Sequence, residues 1–179
     1  MYVVNGKLDN TALWNEAAKA GMLLGLVSVG CLGLRELAGM SGSAFLVQAA
    51  AVILWTVEFF GCILVMKSQQ LNLRDKYEEI KMEDCFRLGR RAALLSGLVL
   101  ASAQALIILY MPQESMDAVV GQISQAMNMS SSQMEQMEGV VNKLPLYTFV
   151  FQWIYCFLYG TVLSAIVSRY IFLQKLFGQ

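Results

Sequence analysis

Between Ala92 and Gln113 the chain reads AALLSGLVLASAQALIILYMPQ, 22 residues without a charge, directly behind Arg90 and Arg91. As a helix rising 1.5 Å per residue this run is about 33 Å long, enough to cross a hydrocarbon layer of about 30 Å. Three further uncharged runs flank it, Ala20 to Leu34, Leu37 to Val57 and Leu144 to Ser168, the second continuing past a lone Glu58 to Met66. Hydrophobic residues make up 57 % of the 179 residues, above the roughly 45–50 % of an ordinary globular domain. Because the excess is gathered into runs, a water-soluble core does not account for it.

The first run is short and must recruit Trp14, Ala17 and Ala18, with Lys19 laying its stem along apolar surface and lifting its ammonium to the interface. Four spans follow, at about 14–37, 43–66, 88–111 and 145–168. Lys7, Lys19, Lys67, Arg74, Lys76, Lys81, Arg87, Arg90, Arg91, Arg169 and Lys175 fall on one side of this arrangement, and only Arg35 and Lys143 on the other. Since Lys and Arg accumulate in cytoplasmic segments, both termini and the 67–87 loop are expected in the cytoplasm. The fold expected is all-α: one domain over 1–179, an integral membrane four-helix bundle of two hairpins, N-in and C-in, with an extracytoplasmic amphipathic helical hairpin over 112–144. Asp9, Asn10 and Glu16 precede the first run and no small-residue cleavage pattern follows it, so it is expected to stay as an anchor. Cys31, Cys62 and Cys156 fall within spans and Cys85 in the charged cytoplasmic loop, which excludes a disulfide framework.

Within the loop, Leu73, Tyr77 and Ile80 at i, i+4 and i+7 predict a short amphipathic helix or a packed segment. Glu83 and Asp84 read as the acidic first turn of a third helix beginning at Met82. Outside, Met116, Val119, Val120, Ile123 and Met127 share one helical face, and Met134, Met137, Val141 and Leu144 another, with Ser132 and Glu135 as a capping box. Methionines repack against varied surfaces, so Met116, Met127, Met134 and Met137 are candidates for binding a partner as well as for capping the spans. Lys19, Ala20, Leu23, Gly25, Leu26 and Val27 recur as Arg91, Ala92, Leu95, Gly97, Leu98 and Val99, an offset of 72 that hints at two related hairpins.

Glu58 is the sharpest polar feature, because a carboxylate at membrane depth costs about 2.5–3.5 kcal/mol on insertion scales. With Gln104 and Ser164 it forms the candidate intramembrane polar site, and Ser96, Tyr159 and Thr161 are further neighbours at plausible depth. The competing reading leaves Glu58 at the inner interface beside Lys19 or Arg90. Gly89, Ala93, Gly97, Ala101 and Ala105 recur every four residues in span three, as Gly21 and Gly25 do in span one. Such ridges let helices approach closely, within this chain or against another membrane protein. With no histidine in the chain, Ser-His or Cys-His nucleophile pairs and histidine metal sites are excluded. No phosphate-binding glycine loop or paired-Cys motif is present, so no cofactor or metal is expected and nothing argues for an enzyme. The pI near 6.3 and zero formal charge give no pull toward nucleic acid.

The opening Trp14-Asn-Glu-Ala-Ala-Lys-Ala-Gly21, the Ile80-Lys-Met-Glu-Asp-Cys-Phe-Arg-Leu-Gly89 leading into span three, the external Met129-Ser-Ser-Ser-Gln-Met-Glu-Gln-Met-Glu138 and the closing Leu163-Ser-Ala-Ile-Val167 stand in an order that carries a resemblance. The chain resembles the Bacteroidetes membrane family called domain of unknown function 4199, over nearly its whole length. That resemblance implies a four-span protein of the bacterial inner (cytoplasmic) membrane with no assigned activity and no functional residues to carry over. It also implies association with a glycosyltransferase of polyprenyl-phosphate type in envelope glycan or lipid metabolism. The function expected is a non-enzymatic accessory or scaffolding subunit, contacting membrane lipid and either a membrane-protein partner or further copies of itself. The alternative is a small oligomeric transporter or channel subunit that uses Glu58 as a proton or cation site.

Overall fold

The computed structural model describes residues 8–40, 44–77, 80–126 and 139–177. Five helices carry them, with no strand among the described residues: α1 (Asn10–Gly39), α2 (Ala44–Lys76), α3 (Met82–Leu109), α4 (Gln113–Ala126) and α5 (Leu144–Phe177). All but α4 are long and apolar enough to cross a membrane. In α2 only 6 % of the most apolar window is buried, and Phe45, Val52, Ile53, Val57, Phe60 and Leu64 stand exposed along it. A soluble protein does not carry so large an apolar surface uncovered, so hydrocarbon is the surrounding that matches it.

Local chemistry sets the helix starts. Asp9 caps α1, its carboxylate accepting from the Asn10 amide at 2.6 Å. At α3 the expected acidic turn is in place, and Asp84 reaches back to accept from the Lys81 amide at 3.1 Å. The end of α2 departs from the expected span limit near Met66: the helix runs on to Lys76, leaving a short connection before Met82. The extension has its own core, in which Leu73, Leu13, Ala17, Cys85 and Leu88 are buried together and Tyr77, Ile80 and Phe172 pack around them. The spacing of Leu73, Tyr77 and Ile80 thus marks a packed face, carried partly by α2 itself. Cys85, expected in a charged loop, sits inside α3 at 0 % exposure, because its position four residues after Lys81 turns it away from Glu83 and Arg87 and onto this core.

Polar contacts tie the same end together. Lys76 of α2 pairs with Glu16 of α1 at 2.6 Å. Arg91 of α3 donates to the Asn10 side chain at 2.7 Å and lies 4.5 Å above the Trp14 ring. This near end therefore holds the starts of α1 and α3 and the ends of α2 and α5.

The helices pack chiefly about α3, which lies between α1 and α5. Toward α5 it presents the four-residue ridge. A Cβ at Gly89 would run into the Ser164 side chain, one at Gly160 into Ala93, and one at Gly97 would lie 3.0 Å from the Cys156 Cβ. Toward α1 it presents Ala92, Leu95 and Val99: a Cβ at Gly21 would lie 2.8 Å from the Leu95 Cβ, and one at Gly25 2.9 Å from the Val99 Cβ. The repeat at offset 72 gains a physical meaning here. Its paired glycines do like work, Gly25 admitting α3 and Gly97 admitting α5. Since lipid offers an apolar side chain nearly the same surroundings as another helix, close van der Waals packing of this kind is what holds spans together.

The ridge of Gly89, Ala93, Gly97 and Ala101 is buried within the chain and is not a free surface. By contrast α2 touches α1 and α5 lightly and α3 least, and α4 makes no substantial contact with the long helices. Met116 is half-buried on α4, whereas Met127, Met134, Met137 and the Ser132–Glu135 capping box lie outside the described residues.

Replacing Gly160 with Val should lower the unfolding midpoint in detergent, by the roughly 1–3 kcal/mol typical of overpacking. Gly30→Ala, where a Cβ meets nothing within 4 Å, should be neutral or stabilising by up to about 1 kcal/mol. Equal effects of the two substitutions would contradict this packing.

Candidate functional site: an intramembrane cavity

Because α3 is held on two sides, α2 faces the α3–α5 pair without meeting it closely, and the space left between them is a cavity of about 440 Å³. Pockets that bind small molecules span about 300–1,000 Å³, so the volume is that of a binding site. It lies half-way along the helices, bounded on α3 by residues from Ala93 to Gln104 and on α5 by residues from Gln152 to Leu163. From α2 it receives Ala51, Trp55, Glu58 and Cys62, one face at i, i+4, i+7 and i+11. From α3 the small Ala93, Ser96 and Gly97 line the same space.

Glu58 is the carboxylate on this wall. It stands about 13.5 Å along α2 from Lys67, the next charge on the helix. Its electrostatic neighbours are Cys31 of α1, Cys62 of α2, and Cys156 and Tyr159 of α5. The lining gathers it with residues of all four long helices, and Lys19 and Arg90, which the interface reading set beside it, are not among them. Among the described residues it has no ion-pair or hydrogen-bond partner. The Tyr159 hydroxyl beside it is buried and likewise makes no hydrogen bond to protein.

The cavity gathers some of the expected polar residues and not others. Glu58, Gln104, Ser96 and Tyr159 line it. Ser164 does not: it lies toward the near end, where its hydroxyl donates to the Phe86 carbonyl at 3.1 Å and accepts from the buried Gln70 amide at 3.2 Å. Thr161 is satisfied locally by the Phe157 carbonyl at 2.7 Å. Ser164 and Gln70 thus join α2 to α5 below the cavity floor, and the floor is closed by Met66 and Leu163.

Several lining residues escaped the sequence reading. Arg35 reaches the cavity one helical turn beyond Cys31, so a guanidinium sits at the far rim while the carboxylate lies deeper. Gln152 and Tyr155 face it from α5 at i and i+3, and Tyr159, already set near Glu58 by depth, continues their face at i+7. Spacing would have revealed both faces, since Ala51, Trp55, Glu58 and Cys62 fall on one helical stripe and Gln152, Tyr155 and Tyr159 on another. Three thiols, Cys31, Cys62 and Cys156, also line the space, yet among the described residues no three Cys, Asp or Glu side chains converge as a metal-ligand set.

Chemically, the arrangement offers one unpaired carboxylate, a row of aromatic faces and several neutral hydrogen-bonding groups in a water-sized or larger space at mid-span. Such a group can take up a proton or hold a positively charged ligand. Comparison with family models, curated proteins and solved structures finds no match to this chain.

Proposed function

We propose that the chain is a multi-pass membrane protein that holds a proton or a cation on Glu58 inside its cavity, as a subunit of a small oligomeric transporter or channel. The observation that carries this reading is the unpaired Glu58 carboxylate on the wall of a mid-span cavity. A carboxylate in that position costs about 2.5–3.5 kcal/mol on insertion scales, and intramembrane ionisable residues that face cavities mark ion and substrate pathways. Oligomerisation belongs to the reading because four spans are few for a complete translocation path.

The bundle is taken to be oriented with both termini in the cytoplasm of the bacterial inner membrane, and α4 with the segment that follows it outside. Support comes from the basic residues gathered at the near end, Lys19, Arg74, Lys76, Arg87, Arg90 and Arg91, against Arg35 and Lys143 at the far end. An accessory role beside a polyprenyl-phosphate-type glycosyltransferase draws only on the family resemblance. Of the two surfaces that could dock such a partner, the small-residue ridge is occupied by α5, and most of the Met-rich hairpin lies outside the described residues.

In proteoliposomes under an imposed pH gradient, Glu58→Gln should abolish the proton uptake into the lumen that the native protein supports. Identical lumenal uptake in the two would overturn the reading. For orientation, cysteines replacing the exposed Lys81 and Glu114 in a cysteine-free background should react with an impermeant thiol reagent from opposite sides, Lys81→Cys from the cytoplasm. The reverse result would invert the topology.

A further inference from the structure

The cavity wall beside Glu58 is built from aromatic rings in an unbroken row. Trp55 stacks on Phe59 at 5.7 Å between centroids, Phe59 meets Tyr159 across the α2–α5 gap at 6.2 Å, and Tyr159 stacks on Tyr155 at 6.3 Å. All four rings line the same space as the carboxylate. A proton site needs none of them, and a metal ion is better served by several gathered anionic ligands, whereas among the described residues no three Cys, Asp or Glu side chains converge. Aromatic faces carry negative charge density and attract cations whose shell is carbon, the arrangement by which quaternary ammonium groups are recognised.

From this we infer that the cavity's ligand is an organic cation with an apolar body: a substituted ammonium held by Glu58 and the Trp55–Phe59–Tyr159–Tyr155 row. The inference rests on the proposed role of Glu58 and adds the chemical class of what it holds. The volume of about 440 Å³ exceeds what a bare inorganic ion requires and suits a molecule of drug-like dimensions. Three properties of the site act together. The carboxylate supplies the counter-charge, the rings replace the ligand's hydration with polarisable carbon, and the neutral side chains of Ser96, Gln104 and Gln152 leave that charge undiminished. Arg35 is the one opposing group. It lies at the far rim, exposed, and its long side chain can carry the guanidinium outward to the interface.

Isothermal titration of the detergent-solubilised protein with benzyltrimethylammonium tests this. Saturable binding is expected, weakened at least tenfold by Glu58→Gln and by Trp55→Leu, retained in Glu58→Asp and in Gly30→Ala, and resistant to sodium in excess. Arg35→Gln should leave affinity unchanged or raise it. Binding that Glu58→Gln leaves intact, that sodium displaces, or that Arg35→Gln abolishes would overturn the inference, the last pointing to an anionic ligand. Absence of ammonium binding alongside proton uptake that Glu58→Gln removes would sink the organic cation while sparing Glu58 as a proton site. Loss of neither in Glu58→Gln would sink both.

Discussion

The close approach of α3 to α5 through Gly89, Ala93, Gly97 and Gly160 is the contact on which the remaining architecture depends. Where a glycine or alanine replaces a larger residue at each crossing, two backbones come together and the many weak dispersion contacts between them accumulate. On its other side α3 receives α1 in the same manner, through Gly21 and Gly25. A helix clamped on two faces has little surface left for a third neighbour. The second span therefore closes the structure only at its edges, against α1 and, through Gln70 and Ser164, against α5.

That arrangement explains how a carboxylate is retained at mid-span. Tight packing of α2 against α3 would force Glu58 either into lipid or against apolar side chains, with no group to compensate its charge. The gap gives it a space to face, with neutral dipoles and aromatic surfaces around it and opposite charge withheld. The same gap makes α2 the least buried of the long helices. Elements with few buried contacts are the ones that open at lowest cost, so the helix that bears the charged residue is also the one best placed to move.

How much of this was written legibly in the sequence differs from helix to helix. The four apolar runs and the acidic start of α3 were plain, because span length and helix-start chemistry are local properties. The ridge of span three was legible as a packing surface, but sequence spacing could not say that α5 would occupy it, since close approach depends on what the facing helix presents. Leu73 and Tyr77 were read as a packed segment, yet the continuation of α2 to Lys76 was missed because a charged stretch reads as loop when the buried face belongs to a core assembled from four helices. Glu58 was visible as an anomaly, and Gln104, set beside it by depth, lines the same cavity. Ser164 was set beside them by depth alone, and its position toward Gln70 and Phe86 depends on how α5 is rotated about its axis. The row of Trp55, Phe59, Tyr159 and Tyr155 was not legible, since its coherence arises only when α2 and α5 are brought together.

One face of α2 borders the cavity while the opposite face is exposed and apolar, as a lipid-facing surface would be. Cysteine scanning of α2 from Ala51 to Met66 in a cysteine-free background, in membranes, with a small polar thiol reagent reads this directly. Reactivity should follow the helical period, high at Ala51, Trp55, Glu58 and Cys62 and low at Ile53, Val57, Phe60 and Leu64. Uniform protection along the helix, or reactivity concentrated on the second set, would contradict it.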